Sequence, residues 1–329
     1  MILINVFFVF GSCAKHETSR IELAMGTVCS VTLFDHGNDI IYNDIFSRIR
    51  EIENLMSVNI PSSDVSRINA AAGIEPVKVH NDVYTVIERA MHFAEISGGA
   101  FDLTVGPIVS LWGIGTENQR VPSQEEIDAV LPFVNFRYLY LDAETRTVFL
   151  THQGMALDLG AIAKGYAADE AANIAKKAGV KQAKIDLGGN IVLIGTKIDK
   201  SPWKVGIQNP GNIHGSIVGI IQVTEKTIVT SGVYERFFEE NGKNYHHIFF
   251  PTTGYPAENS LVSVTIIADI SMNADALSTA VFVLGYEAGK ILIESFPETE
   301  AVFVFEDKSI RTTSGVNFSL TDRAYTVKN

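Results

Sequence analysis

Residues 157–166 read Leu157-Asp158-Leu159-Gly160-Ala161-Ile162-Ala163-Lys164-Gly165-Tyr166. We predict here an apolar strand end that carries one carboxylate, then a glycine-containing turn, then a helix over Ala167–Ala178. Such a turn leaves backbone N–H and C=O groups free to meet a ligand, and it can cradle phosphate. Lys164 favours phosphate, because an ammonium near the positive start of a helix needs an anion nearby. An ordinary strand-to-helix connection explains this segment alone equally well.

A second segment, Asn273–Phe282, is predicted to form a helix that carries Asp275 and Thr279 four residues apart. This spacing places a carboxylate and a hydroxyl on one face, one turn apart. Both are hard oxygen ligands of the kind that magnesium prefers, and magnesium completes its octahedral shell with water and substrate phosphate. The pair therefore predicts a magnesium site that a diphosphate would complete. The same spacing also fits a helix-capping aspartate and a threonine bonded back to its own helix.

Length and composition indicate a globular protein with a sizeable core. The chain has 329 residues, 46% of them hydrophobic, which suffices for one large domain or two smaller ones. No repeat or low-complexity linker marks a boundary between domains. The net charge of -12 excludes nucleic acid as a partner, because no basic stripe exists to neutralise a phosphate backbone. An anionic ligand would need a metal or a local cationic pocket.

The N-terminus carries an apolar run that is too short to span a membrane, followed by small residues and a cysteine. We interpret residues 1–12 as a lipoprotein signal peptide, Cys13 as the lipidated N-terminus of the mature chain, and residues 13–20 as a tether. No Lys or Arg precedes the run, and a first buried strand is the alternative. The other cysteine, Cys29, lies in an alternating strand pattern and is expected in the core, so no disulfide framework is predicted.

Strand and helix patterns are interspersed along the rest of the chain. Residues 21–34 alternate apolar and polar as in a strand pair or one bent strand. Ile40–Met56 has the apolar spacing of an amphipathic helix, and Ser123 with Glu126 forms a capping box. Further predicted features are a hairpin at 137–150, a loop at Glu239–Lys243 and two late helices, Asn273–Leu284 and Glu287–Phe296. Strands and helices do not alternate strictly, so an α+β fold with mixed, largely antiparallel sheets packed against helices is predicted.

Eight short segments, in this order along the chain, resemble the ApbE family of FAD:protein FMN transferases. Each segment alone is weakly specific, whereas eight in order are strongly specific and cover most of the chain from about Glu22. The segments are Ala24-Met25-Gly26-Thr27, Met56-Ser57 with Ser66-Arg67-Ile68-Asn69, Phe101-Asp102-Leu103-Thr104-Val105-Gly106-Pro107, residues 158–166, Asp186-Leu187-Gly188-Gly189-Asn190, Ser231-Gly232-Val233-Tyr234, His247-Ile248 before Pro251-Thr252-Thr253-Gly254, and residues 275–280. The resemblance implies one flavin transferase domain over residues 21–329.

The resemblance further implies a magnesium-dependent enzyme that binds FAD, cleaves its diphosphate and passes the FMN half to a threonine or serine hydroxyl of an acceptor protein. By position in the matching segments, the metal ligands would be the Ala161 carbonyl, Asp275 and Thr279. Lys164, Asp275 and His247 would be catalytic, since phosphoryl transfer depends mainly on positioning and charge neutralisation. The residues expected to contact FAD are Met25, Asn59, Ala100, Phe101, Asp102, Asp158, Lys164, His247 and Ile248.

An attacking hydroxyl also needs a base, and His247 is the candidate. An imidazole near its free pKa can accept a proton at neutral pH. His246 beside it is a competing candidate, and a single histidine is more often structural than catalytic.

Two positions depart from the family pattern. Asn59 stands where many members carry an aromatic residue, and a missing ring weakens stacking on the isoalloxazine by roughly 1 kcal/mol. Weaker binding favours turnover, so we expect hydrolysis of FAD to FMN and AMP as a second activity. Phe250 stands where the family commonly has an aspartate, which puts in doubt any role for a carboxylate there.

The resemblance and the N-terminal signal together predict an exported protein, lipid-anchored through Cys13 to the inner membrane and facing the periplasm. The acceptors would be flavoprotein subunits of membrane redox complexes, an expectation that comes from the resemblance alone. Two other functions fit part of the pattern. One is a lipoprotein that binds and stores FAD without catalysis, and the other is a metal-dependent phosphatase, which would not need the flavin-contact segments.

Overall fold

The computed structural model of the chain describes residues 18–211 and 215–328. The predicted signal peptide, Cys13 and residues 14–17 lie outside the described residues, so their assignment stays a prediction. The last three residues of the predicted tether belong to the first strand, because Thr18 pairs with Leu33 in an antiparallel ladder. Residues 18–20 therefore belong to the described fold and not to the tether.

The described residues form seven α-helices and seventeen strands. The helices are α1 (Asp39–Met56), α2 (Asp64–Ala70), α3 (Asn81–Ile96), α4 (Gly106–Trp112), α5 (Gln124–Val130), α6 (Ala163–Lys177) and α7 (Ser271–Glu294). The strands are β1 (Thr18–Ala24), β2 (Thr27–Leu33), β3 (Val77–Lys78), β4 (Leu139–Asp142), β5 (Thr147–Leu150), β6 (Ala183–Leu187), β7 (Asn190–Ile194), β8 (Trp203–Gln208), β9 (Ile217–Val223), β10 (Thr227–Gly232), β11 (Phe237–Glu240), β12 (Lys243–His246), β13 (Leu261–Ala268), β14 (Glu300–Phe305), β15 (Ser309–Thr312), β16 (Phe318–Leu320) and β17 (Thr326–Val327).

A nine-stranded sheet forms the centre of the fold, in the order β1-β2-β6-β7-β10-β13-β14-β15-β17. Its neighbouring strands are antiparallel except for β15 and β17. The main core joins one face of this sheet to α1, α6 and α7 through side chains such as Ile45, Ala171 and Leu277. The three-stranded sheet β16-β9-β8 covers part of the other face through Trp203 and Ile221. The predicted α+β class with largely antiparallel sheets is confirmed.

Several short-range predictions are confirmed because their signals are local. β1 and β2 form a hairpin around the two-residue turn Met25-Gly26, in which both φ angles are positive (54° and 68°) as in the turns that suit tight hairpins. Ser123 and Glu126 make both reciprocal bonds of a capping box at the start of α5. β4 and β5 form the predicted hairpin, and Cys29 is buried in the core.

The strand predicted at the start of residues 157–166 is wrong. The backbone of Leu157 is bonded by a side chain instead of a neighbouring strand: its N–H donates to Oδ1 of Asn69 (2.7 Å), and its C=O accepts from Nδ2 of Asn69 (3.0 Å). The N–H of Asp158 donates to the carbonyl of Leu103 (2.9 Å). An amide from α2 therefore holds Leu157 in place outside any sheet.

Two predictions further along the chain have different outcomes. The predicted loop Glu239–Lys243 is a tight turn at Asn241-Gly242 between β11 and β12, again with two positive φ angles (53° and 75°). The two predicted late helices are confirmed as the two parts of α7, because its helical backbone is broken at Gly285 (φ 76°, ψ -180°), between the predicted Asn273–Leu284 and Glu287–Phe296. By length and composition α7 could cross a membrane, but half of its most apolar 18-residue stretch is buried inside this fold.

α6 and α7 cross in close contact and cap one another. Asp169 of α6 accepts hydrogen bonds from the N–H groups of Ser271 (2.8 Å) and Met272 (2.9 Å) at the start of α7. In return, Oδ2 of Asp275 in α7 accepts from the N–H of Gly165 (2.8 Å) in the first turn of α6. A Cβ on Gly165 would overlap the backbone of Ser271 and lie 2.7 Å from Cα of Met272, so glycine permits this approach. Each carboxylate satisfies helix-terminal N–H groups that would otherwise lack partners.

Candidate active site

One cavity of about 790 Å³ lies beside this crossing, within the size range of small-molecule sites. The start of α6, the first turns of α7, the β1–β2 turn and the segment after β12 all contribute to its wall. The residues predicted to form the site all line it: Met25, Asn59, Ala100, Phe101, Asp102, Asp158, Ala161, Lys164, His247, Ile248, Asp275 and Thr279. The structure thus brings together segments that lie more than a hundred residues apart in the sequence.

The three predicted metal ligands share this cavity, and their chemistry suits a hard cation. Gly165 N–H, which in a longer helix would bond the Ala161 carbonyl four residues back, bonds Asp275 instead, so the Ala161 carbonyl stays free of that bond. Among the described residues, Oδ1 of Asp275 and the Thr279 hydroxyl have no hydrogen-bond partner. A carboxylate, a carbonyl and a hydroxyl are all oxygen donors, and magnesium uses few protein ligands. Residues 18–211 and 215–328 hold no cluster of three His, Cys, Asp or Glu that could bind a metal by itself.

The turn before α6 presents both charges and backbone groups to the cavity. Oδ1 of Asp158 accepts from the N–H of Gly160 (2.7 Å), and Nζ of Lys164 donates to the Gly160 carbonyl (3.2 Å). Burial raises the pKa of Asp158, although the Gly160 N–H and the nearby Arg236 and Lys164 oppose this shift. The turn therefore carries a positive charge at the N-terminal end of a helix, where an anion is stabilised.

Asp102 has a structural role that its place in the predicted FAD-contact turn did not reveal. Its Oδ1 accepts from the N–H (2.8 Å) and the hydroxyl (2.7 Å) of Thr104, and its Oδ2 accepts from the N–H of Phe136 (3.0 Å). Burial raises the pKa of Asp102. Because both carboxylate oxygens are used within the protein, this turn offers a ligand mainly its backbone and the residues before Asp102.

The adjacent histidines differ in their contacts. His246 is buried: its Nδ1 accepts from the Ile248 N–H (3.3 Å), its Nε2 contacts the Ala257 carbonyl (3.1 Å), and burial lowers its pKa to about 4. His247 lines the cavity, and its Nδ1 lies 3.2 Å from the Arg236 carbonyl. A carbonyl can only accept, so Nδ1 of His247 carries the proton and Nε2 has the free lone pair.

The expected pKa of His247 is not confirmed. Burial in the cavity, together with the positive charges of Arg236 and Lys164, lowers the pKa of His247 to about 3. The ring is therefore neutral at physiological pH but a weaker base than a free imidazole.

Sequence reasoning assigned no role to Glu235 and Arg236, which also line the cavity. They follow directly on the matching segment Ser231-Gly232-Val233-Tyr234, and this position was the signal that could have identified them. Desolvation by the surrounding cavity wall raises the pKa of Glu235 to about 7, and the charge of Asp275 adds to this, whereas Lys164 and Arg236 oppose it. The cavity thus holds a second carboxylate and a second cation near the predicted catalytic groups.

Asn190 is a further residue whose role the sequence did not show. It begins β7, lines the cavity and is only 2% exposed, yet its side-chain Nδ2 has no hydrogen-bond partner among the described residues. A buried amide without a partner costs about 1–3 kcal/mol. An anionic ligand in the cavity would supply the missing acceptor.

The two departures from the family pattern lie in different places. Asn59 is exposed in the cavity wall, so an aromatic ring at this position would face a ligand. Phe250 does not line the cavity, and its backbone closes the turn at 250–255 through bonds to Thr253, Gly254 and Tyr255. The missing carboxylate at position 250 therefore removes no group from the cavity wall.

Comparison with known proteins gives concordant matches in sequence. The model of the ApbE family matches residues 25–303. A FAD:protein FMN transferase of Treponema pallidum is 38% identical, over 96% of this chain and 93% of that protein. One from Klebsiella pneumoniae is 37% identical, over 92% of this chain and 94% of that protein.

A comparison of structures agrees with the sequence matches. The crystal structure of an ApbE protein from Thermotoga maritima superposes with a TM-score of 0.83 at 35% identity, covering 91% of this chain and 97% of that one. The range matched by the family model, residues 25–303, runs from the β1–β2 turn into β14 and includes all the residues that line the cavity.

Proposed function

We propose a magnesium-assisted mechanism for this chain, which belongs to the ApbE family and is a FAD:protein FMN transferase. The observation that carries the proposal is that one cavity is lined by the cationic turn at the start of α6, by the oxygen atoms of Asp275 and Thr279 in α7, and by a neutral histidine, His247. These are the parts that transfer of a phosphoryl group from a dinucleotide requires.

In the proposed reaction the hydroxyl oxygen of an acceptor threonine or serine attacks the phosphorus of the FMN half of FAD. The bond from that phosphorus to the oxygen bridging it to AMP breaks, so the products are a protein–FMN phosphoester and AMP. Nε2 of His247 accepts the hydroxyl proton. Lys164 and Arg236 offset the negative charge of the diphosphate and of the departing AMP. Magnesium held by Asp275, Thr279 and the Ala161 carbonyl would polarise the phosphoryl oxygens.

The low pKa of His247 is compatible with this role because part of it is electrostatic. Burial lowers the pKa of His247 most, and Arg236 and Lys164 lower it further by repelling the imidazolium. A bound diphosphate neutralises these cations, and the pKa of His247 then rises towards its ordinary value. His247 would thus become a stronger base once FAD is bound.

Asn190 would contribute a neutral donor to the same ligand. Its unpaired Nδ2 lies in the wall shared with Asp275 and Ala161. A hydrogen bond to a charged acceptor contributes about 1.5–3 kcal/mol, more than one to a neutral acceptor. We therefore assign Asn190 to binding of the FAD diphosphate.

The test of the transferase mechanism uses purified protein, FAD, magnesium and a candidate acceptor flavoprotein subunit. We expect the acceptor to gain the mass of FMN while AMP appears in equal amount, and chelation of magnesium to stop both. Chelation that leaves the rate unchanged would refute the metal assignment. FAD binding without AMP release, in wild type and in Asp275→Ala alike, would favour an FAD-storage protein instead.

Hydrolysis of FAD to FMN and AMP is the proposed second activity, with water in place of the acceptor hydroxyl. The exposed Asn59 supports this activity, since no aromatic ring at this position stacks on the flavin. Asn59→Tyr should tighten FAD binding about fivefold, equivalent to about 1 kcal/mol of stacking, and slow AMP release without acceptor. AMP release that is absent from the wild-type protein with magnesium and FAD alone would refute this activity.

Export and lipid attachment at Cys13 complete the proposal. The first strand begins five residues after Cys13, so the anchored domain would stay close to the membrane surface. Acceptors would then be subunits of membrane redox complexes exposed on the same side. Labelling of the full-length chain with a radioactive fatty acid, compared with Cys13→Ala, tests the anchor directly.

A further inference from the structure

β1 is an edge strand with an exposed apolar face. It pairs with β2 on one side, and no other described strand pairs with its second side. Ile21 and Leu23 are 64% and 80% exposed, and Val28, which pairs with Leu23, is 54% exposed. Alternate strand residues and directly paired residues share a face, so these three side chains form one patch, which we call the edge patch. Edge strands with exposed apolar residues are templates for pairing with another chain.

The free backbone groups of β1 belong to the same residues as the edge patch. Ala24 and Thr27 flank a two-residue turn and therefore form a hydrogen-bonded pair, and such pairs recur at every second residue. Ser19, Ile21 and Leu23 lie between them, so their N–H and C=O groups are directed away from β2. An added strand would find outward backbone donors and acceptors at Ser19, Ile21 and Leu23, and apolar side chains at two of these positions, Ile21 and Leu23.

The edge patch is continuous with the rim of the active-site cavity. β1 ends at Ala24, and the next three residues, Met25, Gly26 and Thr27, line the cavity. A chain paired parallel to β1 would therefore leave the sheet at the cavity. One or two further residues, each spanning about 3.3 Å, would carry a hydroxyl over the rim.

We propose that the acceptor protein docks by adding an extended segment to the free edge of β1. The segment has apolar side chains at alternate positions, which pack on the edge patch, and its accepting threonine or serine follows within a few residues. This inference deepens the transferase function, on which it rests, by assigning the protein substrate a place on the surface. Strand addition uses backbone hydrogen bonds for affinity and alternate side chains for specificity.

Two other occupants fit the observations less well. A lipid surface would cover the edge patch but offers no partners in register for the N–H groups of Ser19, Ile21 and Leu23. A second copy of the chain would pair edge to edge, but it would then obstruct the cavity rim at Met25, where the acceptor must enter. A protein segment that runs towards the cavity satisfies both the backbone and the function.

The test uses full-length protein and two synthetic peptides of about twelve residues. The first has valines at three alternate positions and one threonine a few residues later, and the second has asparagine in place of each valine. We expect the valine peptide alone to slow hydrogen exchange at the amides of Ser19, Ile21 and Leu23, and to receive FMN at least about 10-fold more efficiently.

Ile21→Pro separates docking from folding. Its N–H faces outward, so proline removes a donor for the added strand while the bonds between β1 and β2 remain, as edge strands tolerate. We expect the preference for the valine peptide to fall about 10-fold in Ile21→Pro and in Leu23→Ser, with FAD hydrolysis unchanged. Ile291→Ser, at a 71% exposed apolar site on α7, should behave as wild type.

The proposal is overturned if the three amides are not protected, if protection occurs elsewhere, or if Ile21→Pro and Leu23→Ser keep the wild-type preference. Protection by neutral phosphatidylcholine vesicles or by raising the protein concentration, but not by the peptide, would assign the edge patch to lipid or to self-association. Amide protection without FMN transfer would support the docking site and count against the transferase mechanism instead.

Discussion

Asp169 of α6 and Asp275 of α7 lie where the two helices cross. Each accepts hydrogen bonds from backbone N–H groups in the first turn of the other helix. Asp169 uses both carboxylate oxygens to cap α7, whereas Asp275 uses only Oδ2 to cap α6 and keeps Oδ1 free at the cavity. Gly165 N–H, in the first turn of α6, donates to Asp275 and not to the Ala161 carbonyl. A carboxylate with both oxygens bonded to backbone N–H groups stabilises the fold. A carboxylate with one free oxygen can also bind a ligand.

The same distinction separates His246 from His247. Both ring nitrogens of His246 contact backbone groups, and the ring is buried. Only Nδ1 of His247 is engaged, and the residue lines the cavity. Neighbours with the same chemistry are thus assigned different roles by the number of hydrogen bonds that the fold already uses.

The strongest test of this comparison exchanges each aspartate for asparagine. Asp275→Asn should lower FMN transfer about 10³-fold, because it removes the charge that would hold magnesium. The one oxygen of the asparagine amide can still accept from Gly165 N–H. Asp169→Asn should keep activity within about 10-fold but lower the free energy of unfolding by about 1–3 kcal/mol, since one N–H of α7 loses its acceptor. Transfer assays and urea unfolding measure both, and the opposite pattern would reverse the two assignments.

The histidine pair gives the next largest expected difference. His247→Gln should lower transfer about 10²-fold, because the acceptor hydroxyl loses its base. His246→Gln should leave the rate nearly unchanged and reduce the free energy of unfolding by about 1–3 kcal/mol, because two buried backbone contacts are disturbed. Steady-state kinetics at saturating FAD distinguish them. Equal losses of rate in both variants would contradict the distinction.

Gly165→Ala tests whether the crossing itself holds Asp275 in place. The new Cβ would meet backbone atoms of α7, which cannot rotate away, so we expect about 3 kcal/mol of destabilisation and a loss of transfer activity as α7 shifts. Gly179→Ala is the matched control: nothing lies within 4 Å of its Cβ, and only its positive φ is strained, at a cost of about 1 kcal/mol. Thermal unfolding of the two variants measures the difference, and equal costs would show that the helices do not depend on close contact.

The smallest expected effect is the pH dependence contributed by Asp169. Burial raises the pKa of Asp169 from 3.8 to about 6, so the folded state binds this proton more tightly than the unfolded state. The stability that this proton contributes to the folded state is therefore fully present below pH 3.8 and is lost as pH rises through 6. The stability of wild type relative to Asp169→Asn should fall by about 2 kcal/mol between about pH 4 and pH 7. Urea unfolding at the two pH values checks the sign, and a difference that grows with pH would contradict it.

Local sequence signals were sufficient for much of the architecture. The apolar spacing of α1 and the capping box at Ser123 each lie within a few residues, and both are observed as predicted. The alternation over residues 21–34 forms a strand pair, one of the two predicted alternatives. Hydrogen bonds in such elements close over short separations, so the residues that decide them are adjacent in the chain. The eight ordered segments likewise pointed to the residues that line the cavity.

What the sequence could not show was how each polar group divides its hydrogen bonds between the fold and a ligand. That Leu157 is held by Asn69 rather than by a strand, that Asp102 is committed to Thr104 and Phe136, and that Asn190 lacks a partner became visible only in three dimensions.

The sequence by itself therefore determined the class of fold, the family pattern and the identity of most groups around the cavity. The tertiary structure alone decided which of those groups are free. The physical reason is that the partners of Asp169 and Asp275 lie 102 to 110 residues away, and only the packing of α6 against α7 brings them within bonding distance.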